Sequence, residues 1–133
     1  MKKLFMSIML MVAGILTWAQ NRNNDTFETI NVDDFNNTLE NGSDSHVLVD
    51  VRTPEEYNTE HLKGAININV KDSLTFLPKA KELLPKDKTI MVYCRSGHRS
   101  AMAAGKLAAE GYKIINLKGG ITAWKLAEKE TVK

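Results

Sequence analysis

The sequence predicts a single α/β domain, in which a mostly parallel five-stranded sheet carries helices on both of its faces. The chain has 133 residues, which is the size of one domain. Short runs rich in β-branched residues alternate along it with helical patterns, as in parallel βαβ units. A chain with one cysteine cannot form an internal disulfide, so a hydrophobic core must hold this fold together.

The first nineteen residues have the three parts of a secretory signal peptide. Lys2 and Lys3 precede the largely apolar run Leu4–Leu16, and the small residues Thr17 and Ala19 stand at the −3 and −1 positions of a cleavage site. We therefore expect cleavage after Ala19 and export, to the periplasm, with no stable membrane association afterwards. An uncleaved membrane anchor is the alternative, although a membrane-spanning helix needs about twenty residues.

The positive net charge belongs to this leader. The chain has 18 basic and 16 acidic residues, and the leader contains two lysines and no acidic residue. Residues 20–25 are polar and are predicted to be a disordered lead-in, and residues 26–133 are predicted to form the domain. No basic stretch with interleaved aromatic residues is present, which argues against a nucleic-acid partner. We expect a monomer or a weak dimer.

Five strands and five helices are predicted in alternation after the leader. Strands are expected at residues 27–30, 46–51, 65–70, 89–94 and 114–117, and helices at residues 32–39, from 54, at 75–84, from about 100 to 111 and at 121–128. Thr53 is a suitable N-cap for the second helix, with Pro54 at its first position. Glu55 and Glu56 suit the dipole of that helix and need no catalytic role. Pro78 is tolerable only in a first turn.

The stretch YCRSGHRS contains the only cysteine, Cys94, at the end of a predicted strand. Ligands bind at the carboxyl edge of open α/β sheets. A helix is expected to begin about six residues later, and a tight loop entering a helix aims its N–H groups at a common centre that favours anions. Gly97 allows the turn, Ser100 can cap the helix, and Arg95 and Arg99 add positive charge.

These features predict that the Cys94 thiol has a lowered pKa and reacts as a thiolate. A buried, inert cysteine is the alternative. His98 can shuttle a proton or point into solvent, and the sequence leaves both possibilities open. Cysteine phosphatases have five residues between the cysteine and the arginine, whereas four separate Cys94 from Arg99 here. The shorter loop suits a sulfur atom bound to the cysteine better than a tetrahedral phosphate.

Two further motifs accompany this loop, and the three together resemble the single-domain rhodanese family. VDVRTPEEYNTEHLKGAININV (residues 49–70) resembles the amino-terminal signature of the family, and LKGGITAWK (residues 117–125) resembles its carboxy-terminal signature. The resemblance covers roughly residues 26–129. It implies a three-layer rhodanese sandwich and transfer of a sulfane sulfur from thiosulfate, or a related donor, to cyanide or a thiol, without a metal or organic cofactor.

The resemblance also implies roles for single residues. Cys94 matches the cysteine that carries the persulfide, Arg95 matches the basic residue of thiosulfate-using members, and Arg99 matches a second loop arginine. The residues expected to bind substrate are Arg95, Ser96, Gly97, His98 and Arg99, and those expected to give structural support are Asp50, Arg52 and Ser100. An ion pair is the expected role for Asp50 and Arg52.

Two other functions remain open from the sequence. The domain can be a persulfide-carrying module that serves a partner protein and turns over little free thiosulfate. A phosphatase or arsenate reductase is the third possibility, against which the loop spacing and the lack of a second cysteine argue. With one domain, the pocket is expected to be shallow and open. His61 and Gly64 are expected to shape a turn, and Trp124 to pack in the core.

Overall fold

The elements of the fold alternate between strand and helix, as predicted. The computed structural model describes residues 26–133, so the predicted signal peptide and lead-in lie outside the described residues. The strands are β1 (Glu28–Ile30), β2 (His46–Asp50), β3 (Ile66–Asn67), β4 (Thr89–Tyr93) and β5 (Lys113–Leu117). The helices are α1 (Val32–Asn41), α2 (Pro54–Thr59), α3 (Phe76–Leu83), α4 (His98–Ala109) and α5 (Gly120–Leu126), and a 3-10 turn covers Ser43–Ser45.

The five strands form one sheet in the order β1-β5-β4-β2-β3, and every pair is parallel. Strand β4 lies in the middle, where Val92 pairs with Val49 of β2 and with Asn116 of β5. The predicted α/β class with a mostly parallel five-stranded sheet is therefore confirmed. Because all strands run the same way, their carboxyl ends meet at one edge of the sheet, and Cys94 follows the central one.

Two hydrophobic clusters cover the two faces of the sheet. Helices α3 and α4 pack on one face, where the alanines of α4 allow close approach to the strands. Helices α1 and α5 pack on the other face, together with Tyr57 of α2. Strand β4 contributes Ile90 and Val92 to the first cluster and Met91 and Tyr93 to the second, all fully buried. Burial on both faces explains why this strand is a continuous apolar run.

Several predicted boundaries differ from those of the structure, and two of them bear on the site. The strand expected at residues 65–70 is regular only at Ile66 and Asn67. Beyond Asn67 the chain still donates one backbone hydrogen bond to β2, from Ile68 to the Asp50 carbonyl. The Asn67 side-chain amide donates to the carbonyls of Asp50 and Arg52, at 3.0 and 2.8 Å, and the regular hydrogen-bond ladder ends there. Helix α4 begins at His98, two residues before the expected start.

Pro78 is the third residue of α3 and so lies in its first turn, where its missing N–H costs no helical hydrogen bond. Within residues 26–133, no helix has both the length and the apolar content needed to cross a membrane.

Candidate active site

The Cys94 loop, residues 94–97, joins the central strand β4 to helix α4. Cys94 is 1% exposed, and the Gly97 N–H donates to its Sγ at 3.0 Å. Gly97 is the N-cap of α4 and has a φ of +106°, a left-handed conformation that favours glycine. The turn is therefore completed within three residues of the cysteine, which places the amino terminus of α4 against the sulfur.

The pKa of the Cys94 thiol is lowered, as the sequence predicts. Burial acts to raise this pKa, but it is outweighed by the Ser100 hydroxyl and by the backbone N–H groups of Ser100, Gly97 and Ser96. The backbone N–H groups are the part of the cause that the sequence suggested, and the Ser100 hydroxyl is the part that it did not suggest.

Ser100 does not cap the helix, which corrects the prediction. It is the third residue of α4, it is completely buried, and its Oγ donates to the Gly97 carbonyl at 3.2 Å. A hydroxyl has one hydrogen and can donate it to only one acceptor at a time. When the thiolate forms, the hydroxyl can turn from the Gly97 carbonyl to the sulfur. Ser100 is thus a switchable donor beneath the loop.

The first turn of α5 holds the other side of the Cys94 loop. The Ile121 N–H donates to the Cys94 carbonyl at 2.9 Å, and the Thr122 N–H donates to the Arg95 carbonyl at 3.1 Å. A Cβ on Gly120 would lie 2.5 Å from both of these carbonyl oxygens. Because α5 binds the carbonyls, the N–H groups of the loop are directed to the opposite side, toward the sulfur. This contact explains Gly120, the second glycine of the carboxy-terminal motif.

The α2 wall, residues 50–60, faces the loop and contains a buried ionic network. Asp50 is fully buried and forms an ion pair of 2.7 Å with Arg52, which is 4% exposed. The Tyr93 hydroxyl donates to Asp50 Oδ2 at 2.7 Å and accepts from the Leu62 N–H at 3.0 Å. Arg52 also donates to the Glu60 carbonyl at 2.7 Å. Burial, followed by the charge of Asp50, raises the pKa of Tyr93, so its hydroxyl stays a donor.

Glu56 joins the α2 wall to helix α4. It forms a capping box with Thr53 at the start of α2, and its two carboxylate oxygens accept from Arg99 at 2.7 and 2.9 Å. The Arg99 hydrogen bond is the main reason why the pKa of Glu56 is lowered to about 2. Arg99 was expected to bind substrate, and the structure places its guanidinium on this carboxylate.

An open groove of about 380 Å³ runs beside the Cys94 loop. Its lining residues are Arg52, Glu56, Thr59, Glu60, Arg95, Ile121, Thr122 and Lys125. Lys125 contacts Glu60 at 2.7 Å, a charge contact without hydrogen-bond geometry.

His98 is exposed. In the part of the chain that the structure describes, the Arg95 side chain has neither a hydrogen bond nor an ion pair, and it is the unpaired arginine of this groove.

A larger groove of about 600 Å³ lies around Gly42 and His46, at the start of β2. This is the amino-terminal edge of the sheet, opposite the edge that carries Cys94, so we do not assign it to the same chemistry. Among residues 26–133, no cluster of three or more histidine, cysteine or acidic side chains could hold a metal ion.

The similarity to known proteins agrees with this geometry. The family model for the rhodanese-like domain matches residues 31–127. The chain belongs to the rhodanese-like family.

Sulfurtransferases are among the relatives of this rhodanese-like chain. It is 38% identical over 79 residues to a sulfurtransferase of Allochromatium vinosum, covering 59% of this chain and 70% of that protein. It is 38% identical over 73 residues to the thiosulfate sulfurtransferase PspE of Escherichia coli, covering 55% of this chain and 68% of PspE. Some relatives are much longer: the match covers 25% of a probable molybdopterin-synthase adenylyltransferase of Porphyra purpurea.

A solved structure supports the fold. The crystal structure of a rhodanese-related protein from Thermoplasma volcanium matches with a TM-score of 0.66 at 29% identity, covering 80% of this chain and 98% of that one. The rhodanese-like sandwich expected from the three sequence motifs is therefore confirmed, and so is membership of a family that contains sulfurtransferases.

Sequence reasoning missed three parts of the site. Glu56 was assigned only to the helix dipole, although its position three residues after Thr53 is the spacing of a capping box. Tyr93 and Gly120 were not connected with the site. Their contacts join residues far apart in the chain, and no local pattern marks such contacts.

Proposed function

We propose that this chain is a thiosulfate sulfurtransferase that carries the transferred sulfur as a persulfide on Cys94. The observation that supports this most is the buried Sγ, with a lowered pKa, under the N–H donors of the loop and α4. These donors favour a negative charge at the sulfur before and after the reaction. In the first half-reaction the thiolate becomes a persulfide anion, so the donors have a charge to stabilise throughout.

The proposed reaction has two displacement steps. The Cys94 thiolate attacks the outer sulfur of thiosulfate, a sulfur–sulfur bond forms, and the bond to the sulfonate sulfur breaks with release of sulfite. The persulfide then transfers its terminal sulfur to cyanide, giving thiocyanate, or to a thiolate, giving a new persulfide, and the Cys94 thiolate is regenerated. Charge is balanced in both steps, and neither step needs an oxidant, a metal or an organic cofactor.

Arg95 is the proposed binding residue for the sulfonate group of the donor. Its side chain is exposed at the groove and has no polar partner within residues 26–133, whereas Arg52 and Arg99 are both paired with carboxylates. A free guanidinium can form two parallel hydrogen bonds to an oxyanion.

The decisive experiment measures thiocyanate formed from thiosulfate and cyanide. We expect turnover by the mature protein and none by Cys94→Ser, which keeps the size of the side chain but removes the nucleophile. Circular dichroism is the check that the variant is folded. Turnover that survives in Cys94→Ser would overturn the proposal.

A donor comparison tests the role of Arg95. Arg95→Ala should lose most of its use of thiosulfate while keeping more of its use of mercaptopyruvate, a donor of lower charge. Lys113→Ala is the matched control, because it removes an exposed cation at the other end of the sheet. Equal donor use by Arg95→Ala and the control would show that the loop backbone alone binds the anion.

A second candidate function is a persulfide carrier for a partner protein, which the open groove beside the loop favours. Mass spectrometry of the purified protein would then show an added sulfur of about 32 Da on Cys94. Rapid turnover with free thiosulfate would contradict this function.

Export from the cytoplasm is also proposed, with cleavage after Ala19. The test is the mass of the protein recovered from the periplasmic fraction after expression with its own leader. A mass that begins at Gln20 is expected, and a mass that retains residues 1–19 would contradict it.

A further inference from the structure

Among residues 26–133, three of the four cations on or beside the groove are paired with carboxylates of the α2 wall. Arg52 pairs with Asp50, Arg99 with Glu56 and Lys125 with Glu60, each at 2.7 Å. The Glu56–Arg99 pair differs from the others. It is bidentate, whereas the exposed Lys125 makes a single contact. It also involves an arginine of α4, the helix whose first turn donates to the sulfur, whereas Arg52 is buried in the α2 wall.

Arg99 and the Cys94 thiolate interact electrostatically. The hydrogen bond that Arg99 donates to Glu56 is the main reason why the pKa of Arg99 is raised, and the charge of the Cys94 thiolate adds to it. Glu56 holds the Arg99 guanidinium in a geometry that uses both carboxylate oxygens. A guanidinium bound in this way attracts a third anion less strongly than a free one does.

We propose that Glu56 is a positioning residue for donor selection, which holds the Arg99 guanidinium on its carboxylate and so withholds one positive charge from the anion that approaches Cys94. The chemical consequence is that the site binds a dianionic sulfur donor less tightly than it would if Arg99 were free, and that a monoanionic donor is affected less. This inference rests on the proposed function where it names a sulfur donor, but the charge effect itself does not depend on turnover.

Glu56→Gln is the informative variant, because it removes the charge and keeps the helix start. Thr53 donates through its backbone N–H and its hydroxyl to Glu56 Oε1, at 3.2 and 3.1 Å, and a glutamine oxygen can accept both bonds. Glutamine is an accepted residue at this position of a capping box. Glu55→Gln is the matched control. It removes the same charge one residue earlier, from an exposed side chain that does not contact Arg99.

The experiment compares alkylation of Cys94 by iodoacetate and by iodoacetamide. Both reagents react with the same thiolate, so the ratio of their rates reports the electrostatic potential and not the pKa of the sulfur. We expect the rate with iodoacetate divided by the rate with iodoacetamide to rise about three- to tenfold in Glu56→Gln, because one nearby negative charge is removed. In Glu55→Gln this ratio should rise by less than about twofold. Equal ratios in all three proteins would overturn the proposal, as would a Glu56→Gln variant that slows both reagents equally.

Steady-state kinetics provide the second measurement. The KM for thiosulfate should fall in Glu56→Gln while kcat changes little, and the KM for the monoanion mercaptopyruvate should fall less. A lower kcat with an unchanged KM would indicate a structural role only and would overturn the proposal. If the protein does not use thiosulfate, the proposed function fails, and the alkylation ratio still decides whether Glu56 controls the charge at Cys94.

Discussion

The two sides of the candidate site are built in different ways. The Cys94 loop acts through its backbone: the Gly97 N–H contacts the sulfur, and α5 holds the carbonyls on the other side. The α2 wall acts through side chains, in which Asp50, Arg52 and Glu56 form ion pairs. The geometry around the sulfur therefore depends on a few backbone conformations, whereas the charge around it depends on side chains that can be exchanged.

The largest effect is expected in the wall. Asp50→Asn leaves Arg52 buried without a counterion, and breaking such a pair costs about 3–5 kcal/mol. Urea denaturation should show this loss as a lower midpoint at an unchanged slope. Asp87→Asn, which removes an exposed carboxylate, should leave the midpoint almost unchanged. A similar stability for the two variants would mean that the network of the wall contributes little.

The next effect tests the backbone of the loop. Gly120→Ala introduces a Cβ 2.5 Å from the carbonyls of Cys94 and Arg95 at a φ of +60°, and we expect a loss of about 2–4 kcal/mol together with slower alkylation of Cys94. Gly64→Ala is the control for the conformation alone, because its φ is +86° but no atom lies within 4 Å of the new Cβ. If both variants lose the same stability, the contact between α5 and the loop is unimportant.

A smaller effect concerns the thiolate. Ser100→Ala removes the hydroxyl that lowers the pKa of Cys94, so this pKa should rise and the alkylation profile should move to higher pH. The rate with iodoacetamide at pH 7 should fall about tenfold, the usual effect of losing a hydrogen bond to a charged group. Ser73→Ala, an exposed serine elsewhere, is the control. An unchanged profile would show that the backbone N–H groups suffice.

The smallest effect is the acid sensitivity of the wall. The pKa of Glu56 is lowered from 4.5 to about 2 in the folded protein, so its contribution to stability is complete above pH 4.5 and is lost as the pH falls from there to 2. The wild type should be more stable than Glu56→Gln at pH 7 by about 1 kcal/mol, after allowance for solvent screening. Denaturation midpoints measured between pH 7 and 2 should converge, and a constant difference would contradict the assignment.

This contrast also explains what the sequence could predict. The fold followed from alternating patterns and from three motifs, and the position of Cys94 followed from the strand before it. The loop was predictable because Gly97 and a helix start are local signals. The pairing of Arg99 with Glu56 joins residues 43 positions apart, and the sequence shows only that both are charged. For that reason Arg99 was assigned to substrate alone, and the carboxylate that holds it was missed.

The contact between α5 and the loop has a consequence for the order of folding. Ile121 and Thr122 come later in the chain than every residue of the Cys94 loop and of the α2 wall. Before they dock, the carbonyls of Cys94 and Arg95 lack the partners that direct the loop toward the sulfur. The backbone of the loop is therefore fully bonded only when the last helix has folded onto the domain.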